Sequence, residues 1–206
     1  MQDSADIPAS TPMDDWFDAL SRPTGSPGGG AASGVMLAIA ASLMSMVGGY
    51  SDGDARASEC VDRLARTRAE ALQAVEADGI VSASFGAALA LATDDPSRDE
   101  RVRDAAVEAA RSAARVGLIG VGMLQEVRVL VEAGNPHIVV DLAVATEALL
   151  AGLSGASLNV RANLQIARRH GSPTAEVADL EAVIDRVTVA RREVGQIIDE
   201  LSSRID

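Results

Sequence analysis

Apolar positions recur along the chain with a helical period, and no segment shows sustained alternation of polar and apolar residues. Residues 13–22, MDDWFDALSR, place Trp16, Phe17 and Leu20 on one face of a short helix. After a Pro- and Gly-rich turn, residues 31–49 are apolar all round, the pattern of a helix buried on every side. SDGD at 51–54 breaks that run. Residues 55–92 predict one long helix, amphipathic through Val61, Leu64, Leu72 and Val75, then small and apolar through VSASFGAALALA. TDDPSRDE at 93–100 supplies a stop and a fresh start, with Ser97 the expected N-cap and Glu100 the far half of a capping box. A single helix is expected over 98–133, ended by GNP at 134–136, and another over 137–169, ended by GSP at 171–173. The last, over 174–202, carries Val177, Leu180, Val187, Val194, Ile197 and Leu201 on its apolar side.

The fold class this pattern predicts is all-α: a bundle of about five or six helices, several of them long, joined by short connections. It forms a single domain over residues 13–206, preceded by a loose leader at 1–12. So many strongly apolar helices exceed what one small domain can bury, and a homodimer is expected.

Composition sharpens this reading. Hydrophobic residues make up 48% of the 206, charged residues 23% and aromatics 2%, so the chain is globular and its core is built from Ala, Val, Leu, Ile and Met. That palette suits packed helices, because strands favour β-branched and aromatic residues. The net charge is −12, and every basic residue is Arg. An acidic chain with no basic run is a poor match for nucleic acid, and without Lys there is neither a Schiff base nor a P-loop lysine. Cys60 is the sole cysteine, so no intrachain disulfide forms; it reads as a small buried residue, in keeping with a cytoplasmic protein. MQDSADIPAS lacks the apolar core of a signal peptide. Residues 31–47 fall short of the about 20 apolar residues of a membrane span, hold Ser33, Ser42 and Ser45, and lack basic flanks, so no membrane is expected. The two histidines and Cys60 offer no ligand cluster, so no metal is expected.

Three stretches, taken in order, resemble one family. WFDALSRPTGSPGGGAASG followed by an Ala-rich helix ending in Met-Val is similar to the opening signature of the cyclodeaminase/cyclohydrolase family of folate enzymes, with Ala31 in place of its serine. AVEADGIVSASFGAAL, 74–89, resembles that family's Asp-Ala-Asp-Ala-x-Ala-Phe segment, aligning Glu76 and Asp78 with the two aspartates. GNPHIVVDLAVATEALLAGLSGASLNVRANL, 134–164, resembles its Gly-Asn, Ser-Asp-Leu and Asn-Val-x-x-Asn-Leu elements. The resemblance spans about residues 13–170. It departs at Gly79, at Val81-Ser82 and in the absence of lysine.

The resemblance implies an all-helical dimer acting on a tetrahydrofolate one-carbon derivative without a metal. The reaction is either hydrolysis of 5,10-methenyl-tetrahydrofolate to the 10-formyl form or ring closure of 5-formimino-tetrahydrofolate with release of ammonia. The alternative is an inactive family member that serves as a helical dimerisation or binding module. The family's catalytic acid/base maps to Asp78, which otherwise reads as a solvated acid. Gly28, Gly29 and Gly30 are expected to line the folate pocket, their N–H groups free at a helix N-terminus; otherwise they form a tight turn. Asp141, alone in an apolar run, either faces the pterin edge or answers a helix dipole. Asn135 fits turn chemistry or substrate binding. Asn159 and Asn163, one turn apart, bind substrate or cross-link helices. Arg161 between them meets a glutamate tail or a partner helix, and His137 reads as a surface residue.

Overall fold

The computed structural model describes residues 11–51, 53–171 and 174–205, with no side-chain description at 174–176; the expected leader lies almost wholly outside them. Among the described residues seven α-helices follow in order: α1 (Met13–Leu20), α2 (Gly29–Gly49), α3 (Ala55–Leu89), α4 (Arg98–Gly122), α5 (Leu124–Ala133), α6 (Val139–Arg169) and α7 (Thr174–Ser203). A 3-10 turn at Pro136–Ile138 leads into α6, and no strand occurs among the described residues. The all-α expectation therefore holds.

Helices α2, α3, α4 and α6 form a four-helix bundle, each packed on the next around the ring, and α7 lies on the α4–α6 face. Small residues make the ring tight. A Cβ on Gly34 of α2 would stand 2.6 Å from Val75 Cγ2 on α3, and one on Gly152 of α6 would stand 2.5 Å from Leu37 Cδ2 on α2. The helix axes approach to a distance that only glycine permits, and Leu37, Met44, Leu64, Leu149 and Leu153 fill the space between them, fully buried. Trp16 anchors α1 against Ala31 and Val75.

Several boundaries differ from the sequence expectation. The helix predicted over 98–133 breaks at Met123, because the glycine-rich turn before it (Gly117, Gly120, Gly122) has weak helix propensity and the break turns Met123, Leu124, Val127 and Leu130 into the core. The capping box at Ser97 does not form; its Oγ instead donates to Asp95 Oδ1 at 2.7 Å, closing the Asp-Pro-Ser turn locally. The glycines at 29 and 30 lie inside the first turn of α2, not ahead of it. Most telling, α2 is not buried all round. Its outer side leaves Ile39 and Met46 exposed, with Tyr50 just past its end, because α3 and α6 flank it and nothing among the described residues covers the remaining side. By length and composition α2 and the run Pro136–Arg169 both pass for membrane spans, but more than half of the most apolar part of α2 is buried in the bundle.

Leu37 sits fully buried at the α2–α6 contact, where Gly120 and Gly152 close on it. Truncating it to Ala opens a cavity the glycine-lined backbones cannot fill. Leu37→Ala is expected to lower unfolding stability by about 3 kcal/mol, read as a shifted urea midpoint; a loss under about 1 kcal/mol would show that the α2–α6 contact is not tightly packed.

Candidate active site

At the N-terminal end of α2, α3 and α6 bring two different chemistries together. Asp78, Ser82, Phe85, Gly86 and Leu89 recur every three to four residues and so share one face of α3, while Asn159 and Asn163 do the same on α6. With Gly25, Gly28, Gly29, Gly30 and Ala109 of α4 they line one cavity of about 280 Å3. One wall is apolar, one is amide and glycine, and a single carboxylate is set between them.

Asp78 is only 5% exposed. Ser112 Oγ on α4 donates to its Oδ1 at 3.1 Å, and Ser82 Oγ, one turn along α3, donates to its Oδ2 at 3.4 Å. The backbone N–H of Ala31 in the first turn of α2 also points at the carboxylate. No cation is among these partners. Burial pushes the carboxyl above the ordinary carboxylate range, and the three donors pull it back only in part.

The seat of this acid explains the glycines. A Cβ on Gly30 would lie 2.5 Å from both Asp78 carboxylate oxygens. Only a residue without a side chain lets the acid reach the orphan N–H groups at the start of α2. Gly25, with φ +78°, turns the preceding loop. Ser26 Oγ then ties that loop to α3 by donating to the Gly79 carbonyl at 3.1 Å.

Of the candidates read from the sequence, Gly28, Gly29, Gly30, Asp78, Asn159 and Asn163 converge on this cavity. Asn159 Nδ2 donates to the Gly155 carbonyl within its own helix at 2.9 Å, and neither asparagine hydrogen-bonds to another helix among the described residues, so the cross-linking reading is not what the structure shows. Asn135, Asp141 and Arg161 are not brought to the cavity. Asn135 lies at the other end of α2, its Nδ2 donating to the Tyr50 carbonyl at 3.0 Å and its backbone N–H to Ser51 Oγ at 2.9 Å. Asp141 is half-buried in the first turn of α6, and Arg161 is exposed on the outer face of the same helix. Glu76 is half-buried and outside the cavity lining, and His137 is exposed.

Sequence reasoning missed Ser82, Phe85, Leu89 and Ser112. The first three were readable as the helical continuation of the Asp78 face; Ser112, reaching in from α4, has no local signal. A second buried acid, Glu126, borders a larger groove of about 500 Å3 between α3 and α4. Arg63 Nε donates to it at 2.8 Å, so that acid is neutralised by the fold. Among the described residues no group of three or more His, Cys, Asp or Glu side chains is placed to hold a metal ion.

A four-helix ring with an uncompensated carboxylate seated on the glycine-lined start of a core helix defines the class of molecule: an all-helical protein with one small, acid-bearing cavity. The formiminotransferase-cyclodeaminase family model matches residues 12–170, and the chain belongs to that family. The crystal structure of formiminotetrahydrofolate cyclodeaminase from Thermotoga maritima shares the fold, with a TM-score of 0.73 over 94% of this chain and 98% of that one, at 18% sequence identity. No curated protein matches the chain by sequence.

Because its folded carboxyl is raised, Asp78 holds a proton over a pH range in which the unfolded chain has lost it. Stability therefore falls as pH rises from the ordinary aspartate range of about 3.9 through the folded value. Asparagine at this position cannot titrate. The stability of wild type relative to Asp78→Asn is expected to be greatest at and below about pH 4 and to decline as pH rises through the folded value, measured by urea unfolding of both proteins. A difference that stays flat or grows with pH would mean that Asp78 is not held protonated by the fold.

Proposed function

We propose that the chain is a folate one-carbon enzyme in which Asp78 is the general acid/base. The observation that carries the reading is the position of Asp78: a buried acid with raised proton affinity, no cationic partner, and one face open to a cavity. In the first reaction considered, N10 of 5-formimino-tetrahydrofolate adds to the formimino carbon to give a tetrahedral centre between N5 and N10. The N10 proton passes to the imine nitrogen, which becomes an amine. Protonated Asp78 gives its proton to that amine, the C–N bond breaks, and ammonia departs. The 5,10-methenyl product is a cation, and the Asp78 carboxylate left behind faces it with opposite charge. Burial that first holds the proton on Asp78 then strengthens the attraction between the two charges.

The same centre serves hydrolysis of the methenyl form. There the Asp78 carboxylate takes a proton from the attacking water and returns it to N5; as the C–N5 bond opens, the hydroxyl left on the carbon gives its proton to the freed carboxylate and on to solvent, and the 10-formyl C=O forms. Ring closure is placed first because the family and the similar solved structure both carry the cyclodeaminase name. Within the cavity, the Asn163 side chain makes no protein hydrogen bond among the described residues and lies one turn from Asn159, which supports a role for this pair at the polar edge of a flat heterocycle. The glycine floor supports close approach of the ring, and Phe85 supplies an apolar face.

Two outcomes test this. Asp78→Asn is expected to lower the rate of ring closure, followed as methenyl absorbance appearing from the formimino compound, by at least about 100-fold; decay of added methenyl substrate reads the hydrolytic direction in the same cuvette. Undiminished rates in the variant would move catalysis away from Asp78, and no activity in either direction with wild type would leave the non-catalytic binding module. Gly30→Ala places a Cβ where the carboxylate now sits while favouring helix α2. It is expected to cost at least about tenfold in turnover with the helical content retained, and full activity would show that the Gly30–Asp78 contact does not set the position of the acid.

A further inference from the structure

A hydroxyl on a helix readily turns back on its own backbone, and several in this bundle do. Ser33, Ser42 and Thr146 each donate to the carbonyl four residues earlier at 2.7 Å, and Thr67 and Ser84 do so at 3.1 Å. Ser82 has the same choice, with the Asp78 carbonyl one turn behind it, and turns instead to the Asp78 side chain. Its Oγ donates to Oδ2 at 3.4 Å, a long contact for a hydroxyl. Ser82 is half-buried and carries the one hydroxyl among the described residues that line the cavity. Ser112, which donates to Oδ1 at 3.1 Å, is outside that lining. The two oxygens of the acid are thus held differently: Oδ1 is fastened by a hydroxyl outside the cavity, and Oδ2 is met loosely by one inside it.

We propose that Ser82 holds the water that attacks the methenyl carbon, and so fits the Asp78 site for hydrolysis as well as for ring closure. The proposal rests on the folate reading above. A hydroxyl has one proton to donate and two lone pairs to accept with. With its proton on Oδ2, Ser82 keeps both pairs for an O–H group in the cavity. A water set there gives one O–H to Oδ2 and the other to Ser82 Oγ, and a lone pair remains to bond the carbon. Asp78 takes the first proton as the C–O bond forms. The second stays on that oxygen, beside Ser82, until the C–N5 bond opens and the 10-formyl C=O forms, when it passes to the freed carboxylate. A water fills about 30 Å3, a small part of a cavity of about 280 Å3. Ring closure needs no such water, because its nucleophile is N10 of the substrate itself. Ser82 therefore bears on one reaction of the site more than on the other.

Ser82→Ala removes the hydroxyl while favouring helix α3. Initial rates of the purified wild type and variant are measured across pH with 5,10-methenyl-tetrahydrofolate and with 5-formimino-tetrahydrofolate, each above its spontaneous rate. The ratio of hydrolysis to ring closure, taken as kcat, is expected to fall at least about tenfold in the variant. The pH profile separates this from a mere effect on the acid. The Ser82 hydrogen bond draws the Asp78 carboxyl down, so its loss favours the protonated form, and a role confined to that would let hydrolysis recover once the pH is high enough to ionise Asp78. The expected deficit persists there. Full recovery at high pH would reduce Ser82 to a tuner of the acid and overturn the proposal. An unchanged ratio at every pH, whether or not both rates fall, would overturn it as well. Wild type that closes the ring but does not hydrolyse the methenyl form would overturn it and leave the folate reading standing, whereas wild type inactive towards both substrates would overturn the two together.

Discussion

The structure turns on the approach of the Asp78 carboxylate to the first turn of α2. An acid can be buried in an apolar bundle only if donors meet it or it stays protonated. Here both conditions are half met. Ser112, Ser82 and the Ala31 N–H supply hydrogen bonds without supplying a charge, so the acid is ordered but not neutralised. Each of those donors comes from a different stretch of chain, and their convergence requires α2, α3 and α4 to meet at that point. Gly30 is the geometric condition for it, since any Cβ there would occupy the space of the carboxylate.

The same logic of missing side chains runs through the ring. Glycines at 34, 117, 120 and 152 each have a neighbouring helix's side chain where their own Cβ would be. Helices packed this closely need no large aromatic residues to fill the space between them, which accounts for an interior of leucine, valine, alanine and methionine. Glu126 shows what the fold does with an acid it uses for structure: it sets an arginine against it at hydrogen-bonding distance. Asp78 has no such partner, and the contrast within one helical bundle separates an acid held in place from an acid kept available.

Much of this was legible in the sequence. The apolar period pointed to the helices, and the Pro-Gly-Gly-Gly and Gly-Asn-Pro punctuation to two of their limits; Ser172 and Pro173 of the third signal lie outside the described residues. The glycines and the asparagine pair stood out as unusual residues for their helices, whereas Asp78, by itself a solvated acid in the pattern, was singled out by the family resemblance. What was not legible depends on contacts between distant segments. The break at Met123 is a tertiary decision, in which burying Leu124 and Val127 outweighs continuing a glycine-weakened helix. Ser97 had a cap sequence, but the nearer Asp95 captured its hydroxyl. Ser112 is one serine among many until α4 is laid against α3. Asn135 and Asp141 looked like site residues because of their motif, yet they sit at the far end of α2, about 31 Å of helix away from the glycines.

The absence of lysine looks, at first, like a loss for an enzyme of an anionic substrate. The cavity argues otherwise for the one-carbon step. Its lining contains one carboxylate, two amides, one hydroxyl, glycines and apolar side chains, and no arginine or histidine. On the proposed reading the reacting carbon passes from a neutral amidine to a delocalised cation, so the charge that develops is positive and grows beside Asp78. A cation in the wall would oppose that change and would also hold Asp78 ionised before it had a proton to give. Excluding basic residues from the cavity is therefore what this chemistry asks for, and the arginines act elsewhere: Arg63 holds the buried Glu126, and Arg56, Arg103 and Arg168 pair with the exposed Glu132, Asp104 and Glu181.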